Sequence, residues 1–413
     1  MEMSLLPLSA GLEVYRKQAE KLYEAYITGD VAVIEFIRSH HPRLRKWAET
    51  ECPYALVTPA DIQLAMADWY YFESWMHLVE WVALVTQKNS SVFLFESAVE
   101  AIFNGDAAEL KELLKENPGL TRTRSMRRHH ATLLHYIGAN GVEYYRGLYP
   151  GNAVELLKIL LDAGAEINAT ADMYGGGATT LGLVATSIHP TRAGVMCGLL
   201  EALLDSGAAI DQPASAGNGQ LAINGCLANG RPEAADYLSR RGARLDLEGA
   251  SGVGRLDIVK SFFNEDGSLK DPASQRQLDR GFIWACEFGQ TAVVEYLLGK
   301  GGDPNRMENG MNGLHWAVIG GHLDTIKLLI DQKVSLESMN VFGGTALGAA
   351  LWATVNHDTV FRWPEATDDI LVIDLLLSDG AKVGPGTVEW FGRQNVPASK
   401  KAAIADLLRS HEH

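Results

Sequence analysis

The residue types in this 413-residue chain that can move a proton are scattered along it. His129, Asp172 and Glu248 are the candidates for acid/base catalysis. An imidazole and carboxylates held within about 3 Å of a substrate can relay protons. Their spacing does not demand that chemistry, because each lies in a separate turn, and a structural or surface role competes for each. The adjacent His129 and His130 do not chelate one ion from an extended strand, since neighbouring side chains point to opposite sides. No metal and no cofactor is expected. The run Gly175-Gly176-Gly177 lacks the Gly-Lys-Ser/Thr ending and the preceding buried strand of a phosphate loop, and reads as a turn.

A second set of residues has the chemistry of recognition. Tyr136, Tyr174, Trp284, Trp316 and Trp352 are the large aromatic side chains that dominate binding hot spots. Arg128, His129, Tyr144, Asp172, Asn224, Glu248 and Glu287 are the polar groups available to orient whatever the aromatics hold.

These residues must be positioned by repeated helix pairs. The stretch from Asn312 to Ile330 reads as a short helix, a break at Gly320-Gly321 and a second helix. Second helices end on a recurring Leu-Leu-x-x-Gly, as at Leu160 to Gly164, Leu203 to Gly207, Leu297 to Gly301 and Leu376 to Gly380. A glycine there takes the left-handed backbone that closes a helix. Eight units follow from about residue 95 to 385, with first helices beginning near 96, 132, 180, 220, 247, 281, 313 and 346. Such units bury their apolar faces only against their neighbours, so the fold class is an all-α solenoid of stacked helix pairs. Insertions at 142–150, 187–192 and 354–369 become rim loops. Degenerate helical units precede the stack, and residues 398–411 form a closing helix. The expected division is an N-terminal module at 1–92, the repeat stack at 93–385, and a cap helix with its tail at 386–413.

The inner wall follows from the register of the first helices. One row reads Glu100, Tyr136, Leu183, Gly225, Gly249, Trp284, Trp316 and Ala349. The row three residues on reads Phe103, Ala139, Thr186, Ala228, Gly252, Glu287, Ile319 and Trp352. The middle of the wall is therefore almost bare, with aromatics on both sides. Either a glycine-lined hollow opens there, or the glycines let neighbouring helices pack closely.

The repeat pattern resembles the ankyrin repeat. Phe72-Glu73-Ser74-Trp75, ahead of the repeats, and the segment from Arg128 to Gly141 resemble those of a group of bacterial ankyrin-repeat proteins of uncharacterised function. The resemblance implies ankyrin architecture and, with it, a protein-binding scaffold. It also implies that His135 and His315 are structural clasps in the slot of the Thr-Pro-Leu-His turn. Asn224 and Glu248 replace the histidine in other units.

The formal charge of -15 argues against nucleic acid and for a partner of basic character. The cysteines Cys52, Cys197, Cys226 and Cys286 form no C-x-x-C pair, and Cys226 and Cys286 read as reduced core residues. No signal segment or membrane span is legible, so a cytoplasmic monomer is expected. The leading functional reading is a protein- or peptide-binding scaffold with an aromatic-lined concave groove between repeats 2 and 7. The alternative is a small-molecule or enzymatic pocket in the glycine-lined centre.

Overall fold

A computed structural model describes residues 6–44, 57–138, 143, 149–211, 221–356 and 368–412. Internal contacts divide the chain into two units, 1–220 and 221–413.

The first unit opens with two helix pairs. Helix α1 (Leu12–Ile27) turns into α2 (Val31–His40), whose start is capped by the Asp30 carboxylate accepting from the amides of Ala32 and Val33. Helix α3 (Pro59–Trp69) begins on a capping box between Thr58 and Asp61, with proline in its first turn, and α4 (Trp75–Val85) begins at Ser74. Tyr71 takes a left-handed φ of 65° at the bend between them, and Phe72 is buried there. Then come α5 (Ser91–Asn104) and α6 (Ala107–Glu116).

The unit expected near 132 opens with one 3-10 turn, Leu133–Ile137, before α7 (Ala153–Asp162). Gly138 ends that turn against the next unit, so close that a Cβ would lie 2.4 Å from Leu183 Cβ. A two-residue hairpin, β1 (Thr170–Ala171) with β2 (Ala178–Thr179), forms the finger before α8 (Thr180–Thr186). The expected loop at 187–192 is the short helix α9 (Ile188–Arg192), followed by α10 (Met196–Asp205).

The second unit holds α11 (Ala222–Ala228) with α12 (Pro232–Arg240), and α13 (Leu247–Gly252) with α14 (Leu256–Ser261). Helix α15 (Gln275–Glu287) starts earlier than expected because a Ser274–Gln277 capping box nucleates it, and pairs with α16 (Thr291–Leu298). The finger β3 (Met307–Glu308) with β4 (Met311–Asn312) leads into α17 (Gly313–Gly320) and α18 (Leu323–Asp331). Helices α19 (Ala346–Val355) and α20 (Asp369–Ser378) follow. The closing helix is α22 (Ala398–Ser410), preceded by α21 (Thr387–Gly392), which the sequence reading missed.

The Leu-Leu-x-x-Gly endings act as read. In each, the glycine has φ between 86° and 95° and the next amide donates back to the first leucine: Ala165 to Leu160, Ala208 to Leu203, Gly302 to Leu297 and Ala381 to Leu376. These bonds satisfy carbonyls a helix end otherwise orphans. The first leucine of each pair is core: Leu160, Leu203, Leu297 and Leu376 are fully buried, while Leu161, Leu204 and Leu298 are partly exposed. Cys226 and Cys286 are buried free thiols, and burial pushes Cys226 up to about 12. Cys52 lies outside the described residues. Among the described residues no helix is long and apolar enough to cross a membrane, and no group of three His, Cys, Asp or Glu residues is placed to hold a metal.

Candidate functional site

In the first unit two of the expected recognition residues, His129 and Tyr136, turn inward around the neighbouring Arg127. Arg127 is almost wholly buried between two carboxylates. Its Nε lies 2.7 Å from Glu143 Oε1, its Nη2 donates to Glu96 Oε2 at 3.4 Å, and its Nη1 donates to the Tyr70 carbonyl at 2.8 Å. The guanidinium also stacks over Trp81 and Phe72, at 4.8 and 5.2 Å from the ring centroids. Trp81 Nε1 donates to Glu96 Oε1 at 3.1 Å, and the Tyr136 hydroxyl donates to Glu143 Oε1 at 2.8 Å. Tyr136 is thus a core residue rather than a groove anchor. Burial, reinforced by Glu143, raises its phenol far above the ordinary range.

His129 is buried as well. Its Nδ1 accepts from the Ala131 amide at 3.2 Å, and its Nε2 lies 3.7 Å from Glu143 Oε1. Arg128 pairs with Asp68 and covers the Tyr71 ring at 5.2 Å. Arg127, Arg128 and His129 therefore pin the N-terminal helices to the first repeats. That correction follows from desolvation, because a buried guanidinium must be surrounded by carboxylates and ring faces. Asp172 does not join His129. Its carboxylate, on the surface, lies 2.8 Å from His130 Nδ1, and only its backbone amide meets His129, donating to the carbonyl. Tyr174 is 65% exposed on the finger, and Tyr144 lies outside the described residues.

In the second unit the glycine-lined centre is filled. A Cβ on Gly249 would lie 2.7 Å from Asn224 Oδ1, and one on Gly252 would lie 2.5 Å from Leu227 Cδ1 and 3.3 Å from Trp284 Cβ. These glycines let consecutive first helices pack closely, so no hollow opens beside them. Trp284, expected as an anchor, is buried there, and Arg280 stacks on its ring at 4.9 Å. Asn224 donates to Asp246 at 2.8 Å. Glu248 lies 3.7 Å from Arg280, and burial raises its pKa against that guanidinium's pull.

The accessible aromatic wall lies further along, on the last repeats and the closing helices. A cavity of about 770 Å³ is lined by Trp316 and Ile319 of α17, Ala349, Leu351 and Trp352 of α19, and Trp390 of α21. Met311, Asn309, Asn340, Phe342 and Thr387 complete its rim. Among the described residues no lining side chain is charged. Phe342 is 86% exposed and flanked by exposed Met339 and Val341, and Trp352 and Trp390 are 40% and 38% exposed. The finger that carries Phe342 is fixed to its neighbour, because the Val341 amide donates to the Gly310 carbonyl at 2.8 Å. Glu287 occupies the row of Ile319 and Trp352, one repeat earlier. It is half-buried, its carboxylate has no hydrogen-bond or ion-pair partner among the described residues, and burial lifts its pKa to about 8.

Two imidazoles act as clasps. His135 Nδ1 accepts from the Thr132 amide at 3.1 Å, and its Nε2 donates to the Ala178 carbonyl at 3.2 Å. His315 Nδ1 accepts from the Asn312 amide at 3.3 Å, and its Nε2 donates to the Ser338 carbonyl at 3.0 Å. Both roles require the neutral ring. Burial lowers both rings, His135 to about 4.

The family model for ankyrin repeats, in three copies, matches residues 282–363. The chain contains ankyrin repeats. Two curated proteins are similar to part of this chain. The palmitoyltransferase AKR1 of Lachancea kluyveri is 26% identical over 126 residues, which cover 28% of this chain and 17% of that protein. The E3 ubiquitin-protein ligase hecd-1 of Caenorhabditis elegans is 29% identical over 117 residues, covering 25% of this chain and 4% of that protein. The alignments thus span a small part of either relative. Among solved structures, the human ASB11 ankyrin repeat domain aligns with 70% of this chain and 98% of its own, at 19% identity and a TM-score of 0.34.

The ankyrin register identified Trp316, Ile319, Ala349 and Trp352. It missed Phe342 and Trp390, which lie on a finger and a closing helix outside that register. It also missed Glu143 and Glu96 as partners of Arg127, because no local spacing links Arg127 to Glu96, 31 residues away, or to Glu143 inside an insertion.

Proposed function

We propose that the chain is a protein-binding scaffold whose recognition surface is the aromatic cavity of the second unit, where a partner's segment lies across Trp316, Trp352, Trp390 and Phe342. Ankyrin stacks generally mediate protein–protein interactions, and the same holds for this one. One observation carries the finer reading: an 86%-exposed Phe342 beside half-open indoles around a cavity with no charged side chain among its described lining. Monomeric proteins rarely leave such contiguous apolar surface without use, and aromatic anchors in pockets dominate binding energy.

The test is affinity capture with the full chain and with a Trp352→Ala, Trp390→Ala variant. Partners held by the wild type and lost from a variant that melts at the same temperature support the cavity. Unchanged capture places recognition elsewhere. A second reading has its own support, since about 770 Å³ lies within the range of small-molecule sites. An apolar compound that binds stoichiometrically without displacing any captured protein would favour it.

A further inference from the structure

We infer that the segment received by this surface carries an arginine or lysine that meets Glu287, together with a large apolar side chain that enters the cavity about one to two repeats further along. The inference rests on the reading above and adds the chemistry of the occupant.

The argument starts from what the wall lacks. Arg280 stacks on Trp284 and pairs with Glu248, Arg306 pairs with Asp279, and Lys400 pairs with Asp369. Glu287, in the wall row that continues into Ile319 and Trp352, has none of these cations for a partner. Its carboxylate oxygens are not sealed off, since they are absent from the fully buried unpaired atoms. A half-buried carboxylate with no donor costs free energy that an incoming cation recovers. Burial lifts the Glu287 pKa to about 8, so the incoming cation also draws off the proton the group holds near neutrality. Net charge adds long-range attraction for a basic segment, at -15 for the chain.

The geometry also sets a spacing. Neighbouring helices in a stack lie about 8–10 Å apart, so Glu287 is on the order of 10 Å from the level of Ile319 and 20 Å from that of Trp352. An extended peptide advances about 3.3 Å per residue. The basic residue and the apolar anchor then stand roughly three to six positions apart.

A random linear 12-residue peptide library displayed on phage, selected in parallel on the full chain and on its Glu287→Gln variant, decides the matter. The wild type is expected to enrich a Trp, Phe or Leu with an Arg or Lys three to six positions away. Glu287→Gln, which keeps the side-chain shape, is expected to keep the apolar preference and lose the basic one. Its affinity for the wild-type consensus peptide should drop about ten-fold. An apolar consensus with no basic preference, or one whose basic preference survives in Glu287→Gln, overturns the inference and leaves the cavity standing. Loss of any apolar consensus overturns the underlying reading as well. Sedimentation of the wild type and of Phe342→Ser closes the remaining route: a dimer that dissociates on that substitution would give the surface to a second copy and overturn the basic-segment assignment.

Discussion

At the scale of single residues, burial decides the role of each charged side chain. Arg127 is the clearest case, because its partners Glu96 and Glu143 are as buried as it is. Arg127→Met should cost about 3–5 kcal/mol, since two carboxylates lose their cation. The measurement is the denaturant midpoint of unfolding, and adding Glu143→Gln should recover part of the loss. Two titrations pull in opposite directions. His135 ionises at about 4 in the folded state against 6.5 ordinarily. The unfolded chain therefore binds its proton first, and stability falls as pH drops from about 6.5 towards 4. Glu287 ionises at about 8 against 4.5 ordinarily. The folded state keeps its proton longer, and stability falls as pH rises from about 4.5 to 8, on the order of 1–3 kcal/mol after solvent screening. Glu287→Gln should flatten the second slope and leave the first. A slope between pH 5 and 8 unchanged by that substitution would refute the assignment.

At the scale of elements, close helix approach explains why the glycine-rich centre is packed. Gly252→Ala gains helix propensity of about 1 kcal/mol but would put a Cβ 2.5 Å from Leu227. A net destabilisation of about 1–2 kcal/mol is expected in thermal melts. Gly348→Ala is the contrasting case, as its nearest neighbour would be 3.8 Å away, so a gain of up to about 1 kcal/mol should appear. The helix endings and the histidine clasps were legible in the sequence because each depends on contacts within a few residues or on one finger. The inner wall was legible only in register. Which members of a row face solvent depends on the neighbouring row, and Trp284 is covered because Arg280 and Gly252 close over it. The aromatic surface itself was half visible: Trp316 and Trp352 lie on the read register, whereas Phe342 and Trp390 come from a finger and a closing helix whose approach no local spacing encodes.

At the scale of the molecule, charge and clasps govern how recognition responds to conditions. If the partner segment is basic, its association rate should fall steeply between about 50 and 500 mM salt, while Trp352→Ala should act mainly on dissociation. Stopped-flow measurements separate the two, and a salt-independent association rate would argue against electrostatic steering. The His315 ring holds the Ser338 carbonyl, four residues before Phe342. An imidazole that gains a second proton can no longer receive the Asn312 amide, so acid undoes the capping of α17 at its start, while the Nε2–H that holds the Ser338 carbonyl is kept. Because burial also holds that ring below the ordinary imidazole range, the helix bearing Trp316 should keep its start through mild acid and fray only under stronger acid, with the finger still tied.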